Sequence, residues 1–269
     1  MLPLTFAEWQ SYFQEKNSVF GDPTESLFDT YLEKSGFPHL LSIDERELRL
    51  KLLAEDIVTK AIYKDEVEMF GLREPAVLEK LLAYLSASTS GLASQVKLAS
   101  MLGIDRIQTG RYLDFLKTTL LVFPLSKYSR QIRESVRSQE KIHVVDQGLG
   151  HIYQAPYASI LESVVARHLW ELFPRQTYYF RERYEVDLVL HVNKNLLPIE
   201  IKNTDKIDAG DLSGLKSFAK AYGLTRGIVV YRGSTRKEMV AKLMIEFYPV
   251  WHFLLDPVKY ISGTVVVTR

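Results

Sequence analysis

The segment between residues 185 and 202 constrains the fold of this chain more than any other part of the sequence. In Glu185–Val192 every second residue is apolar, whereas the positions between them include Glu185, Asp187 and His191. This period of two residues is typical of a half-buried strand. Asn193-Lys194-Asn195 is typical of a turn, and Pro198–Lys202 alternates again. The segment therefore predicts two strands linked by a hairpin.

Helical and strand-like segments follow one another on both sides of this hairpin. They are a helix over Tyr157–Phe173 that ends at Pro174, a β-rich run over Gln176–Arg181, a helix near Ala209–Tyr222 and a strand over Gly227–Tyr231. The resulting order, αβββαβ, predicts an α/β region with a mixed sheet. The apolar segment Phe247–Leu255 predicts a further strand that closes this region.

Acidic side chains and one lysine are expected to meet on the predicted hairpin. Asp187, Glu200 and Lys202 project from corresponding faces of its two strands. Glu162 falls on the apolar stripe of the preceding helix, and a charge on a face that packs against a sheet is costly unless another group compensates it. A metal ion bound by these carboxylates would compensate it.

This combination suits the cleavage of phosphodiesters. A divalent cation polarises the phosphate and activates water, and Mg²⁺ prefers a few carboxylate oxygens together with water and substrate oxygens. We expect the ligands of Mg²⁺ (or Mn²⁺) to come from Asp187, Glu200 and the carbonyl of Ile201. Glu162 would be a further ligand or support one, and Lys202 would orient the attacking water or stabilise the charge that develops on the phosphate. The alternative is an ordinary hairpin with a surface salt bridge.

Residues 75–147 carry a second pattern, which begins with three short helices. The first helix starts at Pro75 and has an apolar stripe, the second covers Ser94–Leu102, and a glycine turn follows. Asp105 is placed to cap the third helix, with Gln108 three residues further on, as in a capping box.

Two strands are predicted after these helices. Leu120–Leu125 and Lys141–Val145 flank a polar arm, Ser126–Glu140. The order of helix, helix, turn, helix and hairpin predicts a winged helix-turn-helix, in which the third helix enters the major groove and the arm lies along phosphates. The expected DNA contacts are Arg106, Gln108, Arg111, Lys127, Arg130, Arg133 and Arg137.

The two faces of the third helix are predicted as well. Ile107, Leu113 and Leu116 are expected to face inward, whereas Thr109 and Tyr112 are expected to be exposed beside the basic residues. Winged helices also bind proteins, so both DNA and protein remain open as partners of this face.

Composition limits what else the chain can do. Of its 269 residues 46% are apolar, which is enough for a full core, and there is neither an apolar run that could span a membrane nor a secretory leader. The absence of cysteine excludes disulfides and thiolate metal sites and fits a cytoplasmic protein. The formal net charge is −7 over residues 1–74 and +4 over each of the segments 75–147 and 148–269, which permits a polyanionic partner.

The acidic residues and the lysine resemble the motif of the PD-(D/E)XK nuclease superfamily, in the Glu…Asp…Glu-x-Lys form of archaeal Holliday-junction resolvases. The matching residues are Glu162, Glu185-Val186-Asp187 and Pro198-Ile199-Glu200-Ile201-Lys202. The resemblance implies a restriction-endonuclease-like domain in which Glu162, Asp187 and Glu200 bind the metal ion. Together with Lys202 these three carboxylates would be catalytic.

A wider resemblance covers nearly the whole chain. Leu2–Trp9, Tyr31–Pro38, Asp56-Ile57-Val58 and Lys141–Leu149 look like parts of a prokaryotic AAA-type family, in the region that follows its ATPase core and ends in a domain of unknown function. The resemblance implies a helical leader (1–74), a winged helix-turn-helix domain (75–147) and a nuclease-like domain (148–269). The sequence contains no G-x-x-x-x-G-K-[ST] motif, so we expect no nucleotide binding and no ATPase activity. We expect a truncated chain or a remnant without its motor, with a separate ATPase module or further copies of itself as partners.

The predicted function is a Mg²⁺-dependent, nuclease-like activity on DNA joined to a DNA-binding winged helix. The alternative is a catalytically silent DNA-binding, protein-binding or assembly module that keeps the nuclease fold as a scaffold. A bound divalent cation that is lost with the Glu200 carboxylate would favour the enzyme.

Overall fold

The computed structural model describes residues 2–17, 24–60, 62 and 74–262, and it shows a mixed α/β architecture. The helices are α1 (Phe6–Asn17), α2 (Glu25–Glu33), α3 (Arg46–Leu53, continued by a π turn over Ala54–Thr59), α4 (Pro75–Ala87), α5 (Gln95–Leu102), α6 (Arg106–Thr118), α7 (Ile132–Arg137), α8 (Gln147–Ile152), α9 (Tyr157–Leu172), α10 (Ser213–Tyr222), α11 (Val250–Leu255) and α12 (Pro257–Ile261). The strands are β1 (Gly91–Ala93), β2 (Val122–Lys127), β3 (Glu140–Val144), β4 (Thr177–Arg181), β5 (Glu185–Val192), β6 (Asn195–Ile201), β7 (Arg226–Tyr231), β8 (Arg236–Val240) and β9 (Leu243–Pro249). Within these ranges no helix has the length and apolar character needed to cross a membrane.

The strands are hydrogen-bonded in the order β1-β3-β2-β4-β5-β6-β7-β9-β8. β4, β5 and β6 are antiparallel neighbours, whereas β6, β7 and β9 run parallel and β8 is antiparallel to β9. The elements from α9 to β7 follow one another in the predicted αβββαβ order. The predicted α/β class with a mixed sheet is confirmed.

The chain forms two compact units, each assembled from separate stretches of sequence. The first unit comprises Met1–Leu4, Thr30–Pro124 and Gln139–Val164, and the second comprises Thr5–Asp29, Leu125–Ser138 and Val165–Arg269. The division into 1–74, 75–147 and 148–269 stays a prediction.

The core of the first unit is an apolar cluster to which α4, α5, α6 and β3 contribute. Leu78, Leu81 and Leu82 form the predicted stripe of α4 and are fully buried. The cap of α6 is confirmed, because the carboxylate of Asp105 accepts a hydrogen bond of 2.8 Å from the main-chain N–H of Gln108.

The orientation of α6 differs from the expectation. Leu113 and Leu116 are buried as predicted, but Thr109 and Tyr112 are fully buried too, and the side chain of Ile107 is 74% exposed. The predicted orientation of these last three residues was wrong. Thr109, Tyr112, Leu113 and Leu116 are separated by three, four or seven residues, apart from the adjacent pair 112 and 113, and so share one face of the helix; Phe115 is buried beside them, and Ile107 lies off that face.

The strand predicted over Phe247–Leu255 was half wrong. β9 ends at Pro249, and the residues that follow form α11. Proline has no N–H with which to continue the ladder, and Val250, Phe253 and Leu254 are buried at the spacing of one helical face.

Two short elements near the predicted arm were missed. β1 pairs with β3 in antiparallel register, with Leu92 opposite Lys141. The arm itself contains the helix α7, none of whose residues is buried. Both elements are too short to leave a periodic signal in the sequence.

The second unit is built around the strands β4 to β9. α10 packs on β5, β6 and β7, and its start lies close against β5. A Cβ atom at Gly214 would lie 1.9 Å from the carbonyl oxygen of Glu185, so only glycine fits there. This close approach brings the turn before α10 to the end of β5 that carries Asp187.

Candidate active site on the β5–β6 hairpin

The register of the β5–β6 hairpin places two acidic residues face to face. The strands are joined by a tight turn in which Asn193 and Lys194 both have positive φ angles, of 50° and 66°. Leu188 pairs with Ile199 in the ladder, and the next step of the same register sets Asp187 opposite Glu200. Directly opposed residues of antiparallel strands share a face, with Cβ atoms roughly 5 Å apart. The predicted placement of these two carboxylates on corresponding faces is therefore found.

Hydrogen bonds hold both carboxylates at the end of β6. The Asp187 Oδ2 atom accepts a hydrogen bond of 2.7 Å from the main-chain N–H of Ile201. The Nζ atom of Lys202 lies 2.8 Å from Oε1 of Glu200, and the Glu200 side chain is only 7% exposed. Asp187, Glu200 and Lys202 are thus brought together as the sequence predicts.

The charge of Lys202 is stabilised by its surroundings. Burial of the side chain lowers its pKa, but the charge and hydrogen bond of Glu200 and the charges of Asp187 and Asp211 outweigh burial, so that its pKa lies above the usual 10.5. Lys202 is therefore an ammonium ion at neutral pH. A permanent cation can neutralise negative charge on a bound group, but it cannot accept a proton as a general base.

Asp211 is a fourth charged residue that sequence reasoning missed. It lies in the turn before α10, where its Oδ2 atom accepts a hydrogen bond of 2.9 Å from the main-chain N–H of Asp208. Its charge contributes to the raised pKa of Lys202. The sequence signal was present as two aspartates just before a helix, with Gly214 permitting the close approach to β5, but only the fold shows which strand they face.

Glu162 lies in the part of α9 that belongs to the first unit. Its Oε1 atom is 2.7 Å from Nζ of Lys141, whose side chain is 3% exposed. The sequence predicts a metal ion that compensates this carboxylate, whose side chain is 15% exposed. The ammonium group of Lys141, on β3, balances its charge in the structure.

The donor set at Asp187 and Glu200 has the chemistry that Mg²⁺ prefers. That ion commonly takes one or two carboxylates and completes its octahedron with water and phosphate oxygens. Within the described ranges no group of three or more His, Asp or Glu side chains is placed to hold a metal ion. The magnesium site stays a prediction, carried by two carboxylates.

The residues predicted to contact DNA differ in their exposure and in the partners that their side chains have within the protein. Lys127 is tied to Glu134 at 2.6 Å and to Glu182 at 3.6 Å, and its side chain is 12% exposed. The side-chain amide of Gln108 donates a hydrogen bond of 3.0 Å to the hydroxyl of Tyr112. The remaining residues are all exposed; they are Arg106, Arg111, Arg130, Arg133 and Arg137.

No neighbouring atom lies close enough to Gly110 to require a glycine at this position. It lies in the middle of α6 between Arg106 and Arg111, and a Cβ atom there would meet only the side chain of Gln95, at 3.8 Å. Glycine inside a helix costs about 0.5–1 kcal/mol relative to alanine.

Family comparisons divide the chain into two matched regions. Residues 25–156 match the model of DUF8612, a domain of unknown function, and residues 157–253 match the model of DUF4143, another domain of unknown function. DUF4143 is commonly found C-terminal to AAA ATPase domains. The predicted resemblance to the region that follows such an ATPase core is confirmed to this extent.

No curated protein matches the chain. Among solved structures, the chain is similar to the crystal structure of protein VC1899 from Vibrio cholerae, with 15% identity and a TM-score of 0.29. The similarity covers 97% of this chain, which spans 61% of that protein.

Proposed function

We propose that the β5–β6 hairpin forms the active site of a metal-dependent phosphodiesterase with a restriction-endonuclease-like fold, acting on DNA. The observation that carries this proposal is the meeting of Asp187, Glu200 and Lys202 at one end of the hairpin, with the Lys202 ammonium 2.8 Å from Glu200. The αβββαβ order of the elements supports it, as does the resemblance of the motif to PD-(D/E)XK nucleases.

Each of the three residues has a distinct role in this proposal. Asp187 and Glu200 would hold Mg²⁺ or Mn²⁺, which supplies polarisation of the phosphate and activation of water when bound. Lys202 binds the phosphate and stabilises its developing negative charge, because its raised pKa keeps it protonated. Ile201 fixes the Asp187 carboxylate through its main-chain N–H, so that this side chain does not reorganise during the reaction.

A cleavage assay tests this proposal. Purified protein is expected to cleave DNA with Mg²⁺ or Mn²⁺, and Asp187→Asn and Lys202→Gln are each expected to lower the rate by roughly 100-fold or more. Asp205→Asn and Lys206→Gln are matched controls, since both residues are exposed and follow β6 closely. Wild-type protein that cleaves no DNA with either ion would overturn the proposal.

We further propose that the first helices and strands after residue 74 contact DNA as a winged helix-turn-helix. The order α4-β1-α5-α6-β2-α7-β3 is the order of such a domain with one short helix, α7, between its last two strands, and Arg106 and Arg111 are exposed on α6. Gel-shift affinity is expected to fall steeply with salt, and Arg106→Gln and Arg111→Gln are each expected to lower the slope by about 1. Slopes unchanged in both variants would contradict DNA contact by α6.

The second candidate function is a catalytically silent binding or assembly module. Two observations favour it. No three acidic or histidine side chains are placed to hold a metal ion in the described part of the chain, and apolar Val96 and Met101 on α5 and Ile107 on α6 are exposed. Exposed apolar groups suit a protein partner. Protein that binds DNA or protein without binding Mn²⁺ would favour this candidate over the enzyme.

A further inference from the structure

A cavity of about 520 Å³ lies in the second unit, between the end of α10 and the turn that joins β8 to β9. The chain reverses on both sides of it through a residue with left-handed backbone. Gly223, which follows α10, has a φ angle of 68°, and Ala241 in the hairpin turn has one of 57°. Sites for small organic molecules commonly have volumes of about 300–1,000 Å³, so this cavity is large enough for such a ligand.

Apolar side chains form most of the lining of this cavity. Ala219 and Leu243 are buried members of the core cluster that α10, β7 and β9 share. Leu224 and Val240 line the cavity as well, and they are only partly buried where they pack against the same cluster. An alkyl group that enters the cavity therefore extends the apolar core, and its transfer from water is favourable.

Lysines line the same cavity beside these apolar side chains. Lys216 and Lys220 lie one turn apart on α10, and Lys242 follows Ala241 in the hairpin turn. The Nζ atom of Lys216 donates a hydrogen bond of 3.1 Å to the carbonyl oxygen of Ala209. Lys220 and Lys242 are exposed, and within the described ranges neither forms an ion pair. Among the residues that the structure describes, no acidic side chain lines the cavity, so the charge beside its apolar interior is positive.

We propose that this cavity binds a free medium-chain fatty acid, with its alkyl chain against Leu224 and Val240 and its carboxylate near Lys220 and Lys242. Each methylene that leaves water raises affinity about fourfold, and lysine ammonium groups donate charge-assisted hydrogen bonds to a carboxylate. A polyanion such as DNA would use the lysines but not the apolar lining, whereas a fatty acid uses both. Because the cavity shares no residue with the proposed active site, this site stands whether or not the chain cleaves DNA.

Calorimetric titration of the full chain with decanoate, below the concentration at which it forms micelles, tests this proposal. Decanoate is expected to bind at least about tenfold more tightly than hexanoate, because its longer chain buries more methylenes. It is also expected to bind at least about tenfold more tightly than decyltrimethylammonium, which carries the same alkyl chain on a positive charge.

Variants at the hairpin turn and on α10 separate the contribution of charge from that of the fold. Ala241→Asp adds a negative charge at an exposed position whose left-handed backbone aspartate tolerates. It is expected to weaken decanoate about fivefold and to strengthen decyltrimethylammonium, whereas the uncharged Ala241→Asn leaves both affinities unchanged. Lys220→Gln and Lys242→Gln are each expected to weaken decanoate about threefold to fivefold. Lys194→Gln is the matched control, because this lysine lies in the turn of the β5–β6 hairpin and does not line the cavity.

Four outcomes would overturn the proposal. The first is no binding of decanoate at millimolar concentration. The second is equal affinity for decanoate and hexanoate, which would mean that the lysines alone attract the carboxylate. The third is equal affinity for decanoate and decyltrimethylammonium, which would mean that any alkyl chain adheres to the protein. The fourth is equal loss of decanoate affinity in Ala241→Asp and Ala241→Asn.

Discussion

Two lysine–glutamate pairs of nearly equal length lie in different surroundings in the two units. Lys141 and Glu162 lie 2.7 Å apart in the first unit, with side chains 3% and 15% exposed. Lys202 and Glu200 lie 2.8 Å apart in the second unit, but the lysine is 26% exposed. The first pair is enclosed by protein, whereas the second keeps its cation accessible to a ligand.

The surroundings of the second pair explain why it is the better candidate for chemistry. Asp187 and Asp211 add negative charge around Lys202, so that three carboxylates influence one ammonium group. An excess of negative charge of this kind destabilises the isolated protein and favours the binding of a cation. The comparison teaches that the length of an ion pair says little about its role, and that the exposure and the charge balance around it say more.

The largest expected loss of stability comes from removing the lysine of the first pair. Lys141→Met leaves Glu162 buried without this ammonium group, and removing one partner of a buried pair costs roughly 3–5 kcal/mol. We expect the free energy of unfolding, measured with urea, to fall by about that amount.

Two variants control this experiment. Adding Glu162→Gln to Lys141→Met is expected to restore most of the lost stability, because no buried charge then remains. Glu200→Gln is expected to cost about 1 kcal/mol or less, because Lys202, the charge that it leaves behind, is 26% exposed and can be hydrated. Equal losses in Lys141→Met and Glu200→Gln would erase the contrast between the two pairs.

A pH-dependent effect sharpens the description of the first unit. Burial, and to a smaller extent the charge of Lys141, holds the pKa of His143 well below its usual 6.5. The unfolded chain therefore binds a proton that the folded chain does not bind, and this contribution to stability is complete above pH 6.5 and lost as the pH falls below it, at up to about 1.4 kcal/mol per pH unit.

Wild-type protein is expected to lose free energy of unfolding, measured with urea, as the pH falls from 7 to 5, by up to about 1.4 kcal/mol per pH unit. The variant His143→Asn is expected to lose most of this dependence. Asparagine retains a polar group for the hydroxyl of Ser163, which lies 3.1 Å from Nδ1 of His143. The same measurement above pH 8, where the imidazole is neutral in both the folded and the unfolded chain, is the control, and the variant and the wild type are expected to show the same slope there. An unchanged slope in His143→Asn would show that this histidine is accessible to protons in the folded state.

A smaller effect is expected at the second pair. Asp187→Asn removes one charge from the crowded carboxylates but keeps an oxygen that can accept the hydrogen bond from Ile201. We expect the free energy of unfolding to change by about 1 kcal/mol or less, in contrast to Lys141→Met. A loss of several kcal/mol would mean that Asp187 supports the fold and not a ligand.

The smallest expected effect is a gain in stability. Gly110→Ala fills open space on α6 and is expected to raise the free energy of unfolding by about 0.5–1 kcal/mol. If the exposed face of α6 binds a partner closely, the same change weakens that binding, which gel-shift titration with DNA measures. Stabilisation with unchanged affinity would remove Gly110 from the interface.

Local patterns in the sequence predicted much of the second unit. The alternation of Glu185–Val192 became β5 with the same bounds, and the Asn-Lys-Asn turn and the facing carboxylates followed from it. These features depend on the two-residue period and on turn chemistry, which are local. The orientation of α6 was predictable too, because Thr109, Tyr112, Leu113 and Leu116 have helical spacing, but the apolar character of Ile107 suggested another face.

Features that depend on tertiary contact were not predictable. Lys141 and Glu162 are 21 positions apart, and nothing local shows that β3 brings the lysine to α9. Asp211 likewise reaches Lys202 only because α10 begins against β5. The sequence predicted a metal ion beside the carboxylate of Glu162; the fold places the ammonium group of Lys141 there, and Glu162 as a metal ligand stays a prediction.

Calorimetric titration with Mn²⁺ tests the central claim, that the carboxylates beside Lys202 form a cation-binding catalytic site. We predict that wild-type protein binds the ion and that Glu200→Gln and Asp187→Asn each abolish the binding, whereas Glu162→Gln and the surface control Asp205→Asn retain it. Wild-type protein that binds no Mn²⁺, or binding that survives Glu200→Gln, would contradict the account.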